Sequence, residues 1–216
     1  MKNIKAVIFD MDGVILDNND WHLKAWLEFA QMIGIDLREE EAYSRIFGKT
    51  NREIILDAYP DTSETQVEKW SQEKEALYRD MYTPHFALAE GLLPFLEKLH
   101  SNNFKIGVAS NAPIENVNFA LDNGGIRKYF EAILHAGLVE KPKPAPEIYL
   151  KASAMLGFQA SDCLVIEDSP TGLKAAKAAS CPSVGITSTF PAQTLAEFTD
   201  RIIGHFDELA PILFSA

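Results

Sequence analysis

Asp10-Met11-Asp12-Gly13 follows directly on the apolar run Ala6-Val7-Ile8-Phe9. Two carboxylates two residues apart at the end of a short buried strand stand in the crevice where open α/β sheets bind ligands. A carboxylate there can hold a hard cation through one oxygen and attack an electrophile with the other. Taken alone, the pattern is equally that of a strand-to-loop turn in which Asp and Gly suit the backbone. Two further strand ends carry related chemistry. Phe104 to Ala109 reads as a buried strand stopping at Ser110-Asn111-Ala112-Pro113, where the hydroxyl and backbone N–H groups can hold a phosphate and Pro113 suits the first turn of a helix. Cys163 to Ile166 runs into Glu167-Asp168-Ser169-Pro170, with Ser169 as N-cap and Pro170 at the first helical position. Between these two strand ends, the prolines of Lys141-Pro142-Lys143-Pro144-Ala145-Pro146 stiffen the chain ahead of a helix starting near Glu147 and can aim a lysine.

In this order, Asp10-x-Asp12-Gly13, Ser110, Lys143-Pro144-x-Pro146 and Glu167-Asp168, spread over residues 4 to 185, the sequence resembles the haloacid dehalogenase superfamily of phosphotransferases. Asp12-Gly13-Val14-Ile15-Leu16-Asp17, His22-x3-Trp26 and Lys143-Pro144-Ala145-Pro146-Glu147-Ile148-Tyr149 are most similar to the subgroup of β-phosphoglucomutase-like enzymes and small-molecule phosphatases. The resemblance implies that Asp10 is the nucleophile and forms an aspartyl phosphate. It implies Asp12 as general acid and base, and Mg²⁺ as cofactor on Asp10, the Asp12 backbone carbonyl and Asp168, with Glu167 a direct ligand or one step behind. Ser110 and the Asn111 backbone would hold the phosphoryl oxygens, and Lys143 would offset their charge. Lys141 has its own following proline, but the Lys-Pro-x-Pro pattern matches Lys143.

Substrate-binding candidates lie in the segment after the first motif. His22 and Trp26 are four apart on one helix face, and Lys49 and Arg52 in Gly48-Lys49-Thr50-Asn51-Arg52 could grip a second anionic group. Their plainer readings are a structural histidine, a core tryptophan and solvated charges. Three features depart from the mutase pattern: Asn18 after Asp17, the absence of a lysine after Ser110, and a Gly48 to Arg52 loop that looks one residue longer. The expected enzyme is therefore a phosphatase acting on a small sugar or polyol phosphate, with β-phosphoglucomutase as the alternative. A dehalogenase using the same aspartate on carbon, or a catalytically silent binding protein, ranks behind both.

The chain has 216 residues, 47% of them hydrophobic, which suffices for a full core and a small accessory unit. Apolar residues at helical spacing dominate the interval from Trp21 to Tyr82, whereas strands alternate with helices from Leu92 onward. The expected fold is α/β: a Rossmann-like, parallel-sheet core built from residues 1–16 and 84–216, and an all-helical cap, residues 17–83, inserted after the first strand. A dinucleotide-binding domain is disfavoured because the loop after the first strand is Asp-Met-Asp-Gly and lacks G-x-G-x-x-G. With 20 Lys and Arg against 31 Asp and Glu, the net charge of −11 argues against nucleic acid as a partner. No run reaches the roughly 18 apolar residues of a membrane span, and Met1 to Lys5 leads into a strand with no signal-peptide pattern. A cytoplasmic enzyme is expected, with no oligomeric state specified and a monomer compatible with the sequence. Cys163 and Cys181 lack metal-type spacing and are read as small buried hydrophobes.

Overall fold

The structure is a computed structural model that describes residues 3–214; Met1 and Lys2, which open the segment expected to lead into the first strand, lie outside it. The chain folds as two compact units, Met1–Asp17 with Ala87–Ala216, and Asn18–Phe86. In chain order, strand β1 (Ala6–Phe9) opens the first unit, and helices α1 (Asn19–Ile33), α2 (Glu39–Ile46), α3 (Asn51–Ala58) and α4 (Glu64–Tyr82) make up the second. The first unit resumes with α5 (Leu92–Ser101), β2 (Lys105–Ala109), α6 (Ile114–Asn123), β3 (Ala132–Leu134) and α7 (Glu147–Met155). It ends with β4 (Cys163–Glu167), α8 (Pro170–Ala178), β5 (Ser183–Ile186), α9 (Ala192–Leu195), β6 (Ile202–Ile203) and α10 (Phe206–Phe214).

Among the described residues the sheet runs β3-β2-β1-β4-β5-β6, and every pairing is parallel. β1 is central, so Val7 and Ile8 are fully buried, as expected of a strand covered on both faces. Burying each such side chain stabilises the fold by about 1.5–3 kcal/mol. Chain order reverses on either side of β1, and the switch point between β1 and β4 is where such sheets bind ligands. Register carries the site: Phe9 pairs with Val108 and Ile166, so the residues following β1, β2 and β4 emerge at one end of the sheet. Gly13 turns the chain just after Asp12 with φ of 76°, a left-handed conformation that a side chain would strain.

The helical unit has its own core of Trp26, Phe29, Ala42, Ile46, Ile54, Ile55 and Val67. Gly34 ends α1 in the left-handed conformation, with its N–H on Gln31 O. Thr50 opens α3 with a capping box, accepting from the Glu53 N–H while the Glu53 carboxylate accepts from the Thr50 N–H. Pro113, read from the sequence as lying in the first turn of α6, is instead its extended N-cap residue, with Ile114 the first helical position. Both cysteines are buried and unpaired with each other. No helix among the described residues is long and apolar enough to cross a membrane.

Candidate active site

Asp10 leaves the end of β1 with its backbone N–H on Ile166 O at 3.0 Å, which carries the β1–β4 pairing one residue past the strand. Lys143 reaches it from the proline-rich segment: its ammonium donates to Asp10 Oδ1 at 2.5 Å and to Glu167 Oε1 at 2.8 Å. All three side chains are buried, as is Asp168. Lys141 is exposed, so the stiff segment aims one of its two lysines inward. The Asn111 side chain fixes the backbone of Lys143 from both sides. Its Oδ1 accepts from the Lys143 N–H at 3.1 Å and its Nδ2 donates to the Lys143 carbonyl at 3.4 Å.

Glu167 is held by four donors. Oε1 accepts from Lys143 and from Tyr149 OH at 3.1 Å, and Oε2 accepts from the Ser169 N–H and hydroxyl at 2.9 Å each. Ser169 is also the N-cap of α8, accepting from the Gly172 N–H. A Cβ at Gly172 would overlap the Glu167 carboxylate, so glycine there makes room for the acid. Asp168 accepts from the Thr189 hydroxyl in the loop after β5. Ser110, following β2, has its hydroxyl oxygen on the Ala112 N–H at 3.0 Å and its own N–H on Leu134 O. Asp12 is half-buried in the turn after Asp10.

Electrostatics follow from this burial. Desolvation pushes the Asp10 carboxyl up to about 7; Lys143 pulls it down, and the charges of Glu167 and Asp12 push it up. Desolvation and then Glu167 and Asp10 hold Asp168 well above the usual carboxylate range. Burial alone would lower the Lys143 pKa, but Asp10 and Glu167 outweigh it and keep the ammonium charged. One oxygen from each of Asp10, Glu167 and Asp168 lies within 4.8 Å of the other two. Three carboxylates share one ammonium, so full ionisation would exceed the charge of Lys143 by two; the raised Asp10 and Asp168 reflect that surplus, and a divalent cation with oxygen ligands would balance it.

The remaining candidates belong to the helical unit. His22 Nδ1 is 2.9 Å from Lys74 Nζ, and its ring stacks on Tyr78 at 3.8 Å. Trp26 is 1% exposed and sits in the apolar core, the plainer of its two readings. Lys49 is paired with Asp57 and Arg52 with Glu64, all four at the surface. Asn51, between them, donates to the buried Glu75 at 2.7 Å, and Glu75 also accepts from the fully buried Lys74 at 2.9 Å. Asn18, one of the departures from the mutase pattern, is fully buried and donates to Tyr78 OH at 2.6 Å.

Sheet order, strand-end carboxylates and buried lysine together define an α/β core with a charged site at its switch point, and comparison with known proteins identifies its class. Residues 7–186 match the family model described as haloacid dehalogenase-like hydrolase, and the chain belongs to that family. Its relatives include the β-phosphoglucomutase of Bacillus subtilis (strain 168), 34% identical over 195 residues, covering 85% of this chain and 83% of that protein. The phosphorylated carbohydrates phosphatase of Thermotoga maritima is 30% identical over 181 residues, 82% of each chain. Among solved structures, a family IA, variant 3 hydrolase from Entamoeba histolytica superposes with a TM-score of 0.87 at 30% identity, over 95% of both chains. The protein is thus a haloacid dehalogenase-like enzyme of the group that holds both phosphatases and a phosphomutase.

Tyr149, Thr189, Gly172 and the Asn111 side chain were given no part by the motifs. Thr189 and the Asn111 amide reach across 21 and 32 residues of sequence, which no local pattern reveals. Tyr149 stands inside the quoted Lys143 to Tyr149 segment, but Lys143 precedes α7, so helical spacing does not relate the two residues.

Proposed function

We propose that the protein is a Mg²⁺-dependent phosphatase that acts on a small sugar or polyol monophosphate through a phosphoryl group carried on Asp10. The observation that carries this reading is the buried convergence of Asp10, Lys143, Glu167 and Asp168 at the switch point of the sheet. Asp10 and Asp168 would hold the ion, with the Asp12 backbone carbonyl as the resemblance implies. Glu167, already accepting from four donors, would stand behind them as the anchor of Lys143. When bound, the cation supplies charge to orient and neutralise the transferring phosphoryl oxygens.

Each step then rests on a residue of the chain. Lys143 favours the ionised form of Asp10, the phosphoryl acceptor, against its burial and adds positive charge beside the phosphoryl group. The Ser110 hydroxyl and the Asn111 backbone N–H hold phosphoryl oxygens. Asp10 forms a bond to phosphorus in line with the leaving oxygen, whose bond to phosphorus breaks as Asp12 gives it a proton. Asp12, now ionised, takes a proton from water as it attacks phosphorus, releasing phosphate and regenerating the Asp10 carboxylate.

The helical unit, residues 17–83 in the sequence reading, would be a cap domain, as the resemblance implies. Supporting hydrolysis over mutase chemistry are the departures from the mutase pattern, Asn18 after Asp17 and no lysine after Ser110. β-Phosphoglucomutase activity is the second reading, favoured by the 34% identity to a β-phosphoglucomutase. The deciding experiment offers β-glucose 1-phosphate with Mg²⁺, with and without β-glucose 1,6-bisphosphate, beside a panel of sugar and polyol phosphates. Bisphosphate-independent phosphate release supports the phosphatase. Bisphosphate-dependent glucose 6-phosphate with little free phosphate makes the mutase reading correct.

A further inference from the structure

The ring of Tyr149 is fully buried in the first turn of α7, and it meets the reactive cluster twice. Its hydroxyl donates to Glu167 Oε1 at 3.1 Å, the same oxygen that accepts from Lys143 at 2.8 Å. Its ring centroid lies 4.8 Å from Lys143 Nζ, close enough for the negative face of the aromatic system to attract the ammonium. We infer that Tyr149 is a positioning residue that acts through Glu167: by sharing Oε1, its hydroxyl keeps the Lys143 ammonium divided between Glu167 and Asp10 and prevents Glu167 from drawing it away.

Three observations support the assignment. A carboxylate oxygen with two donors offers less of its charge to each, so the phenol weakens the hold of Glu167 on Lys143 while leaving Glu167 satisfied. Glu167 cannot swing aside to escape this sharing, because Ser169 holds its other oxygen and α8 approaches at Gly172. A phenol is the right donor for so negative a place. Burial first, then Glu167 and Asp10, raise the Tyr149 pKa well above its usual value, so the proton stays on the hydroxyl and the hydrogen bond is kept.

The test is Tyr149→Phe, which retains the ring and removes the hydroxyl. The inference rests on the phosphoryl-transfer reading for its kinetic arm. On an ester that the wild type hydrolyses with Mg²⁺, kcat should fall about 3–10-fold, the size of one ordinary hydrogen bond felt through Glu167, with KM changed less than about twofold. A second arm needs no turnover: the buried ammonium of Lys143, assigned in ¹H–¹⁵N spectra by its absence from Lys143→Arg, should shift and exchange faster with water in Tyr149→Phe. An unmoved Lys143 resonance, an unchanged kcat, or a variant that no longer folds would each overturn the inference, the last by making the hydroxyl structural. A wild-type chain inert on every ester would sink the catalytic reading alone and leave the resonance to decide the role of Tyr149.

Discussion

Replacing Lys143 with alanine removes an ammonium that sits 2.5 Å from Asp10 Oδ1 and 2.8 Å from Glu167 Oε1, with 4% of its side chain exposed. Breaking a buried pair by deleting one partner costs about 3–5 kcal/mol, because the other charge is left uncompensated. For a chain of this length, 1 kcal/mol moves the melting temperature by roughly 2–4 °C, so Lys143→Ala should melt about 6–20 °C lower at pH 8 without Mg²⁺. The loss has a sign with pH. Asp10 already titrates near 7 with Lys143 pulling it down, so in the variant its folded-state value rises further. At pH 5 Asp10 is protonated in both folded proteins and the penalty is small; as pH rises above 7 the wild type gives up that proton first and the penalty grows toward the variant's higher value. Differential scanning calorimetry of wild type, Lys143→Ala and Lys141→Ala between pH 5 and 8.5 reads this directly, and phosphate release at pH 7.5 gives the activity. Lys141 is exposed, so its alanine variant should stay within about 0.5 kcal/mol of wild type and keep its activity. Equal losses from the two lysine variants, or a Lys143→Ala penalty that does not grow with pH, would refute the reasoning.

Asp168→Asn should abolish the rise in melting temperature that Mg²⁺ gives the wild type, with no phosphate ester present; calorimetry with and without the metal checks it, and a Mg²⁺-induced rise that survives in the variant would remove Asp168 from the metal site. In the helical unit, burial works against ionising Glu75, but Lys74, the charge of His22 and donation from Asn51 and Lys74 outweigh it and hold the carboxyl at about 2, below the usual 4.5. A carboxyl lowered from 4.5 to about 2 contributes about 3 kcal/mol that is fully present above pH 4.5 and lost as pH falls toward 2. Urea unfolding from pH 6 to pH 2.5 should therefore show wild type losing stability more steeply than Glu75→Gln; parallel curves would contradict the assignment.

The fold class was legible because the strands are short apolar runs bounded by polar or turn residues, as in Lys5 followed by Ala6–Phe9 and then Asp10. The helices Asn51–Ala58 and Glu64–Tyr82 were readable from 3.6-residue periodicity and from Tyr59-Pro60-Asp61 between them. The helix at Phe206–Phe214 was not, since Pro211 inside it reads as a breaker. Nor was the four-residue helix Ala192–Leu195, which is too short to establish a period. Motif order named the four residues that the structure brings together, Asp10, Lys143, Glu167 and Asp168, because each sits at or next to a strand end or in a proline-stiffened segment. Partner choice at the surface is another matter. Lys49 and Arg52 find Asp57 and Glu64 across 8 and 12 residues, and a loop's composition states that it carries charge without stating where the charge is satisfied.

The most direct measurement on the central claim is where the phosphoryl group resides during turnover. Wild-type protein mixed with Mg²⁺ and a hydrolysable sugar phosphate, quenched in acid within the first turnovers and digested for mass spectrometry, should carry phosphate on Asp10. Asp10→Asn, folded as judged by its melting transition, should carry none and turn nothing over. A phosphoryl group on Asp12, or steady phosphate release by Asp10→Asn, would contradict the account.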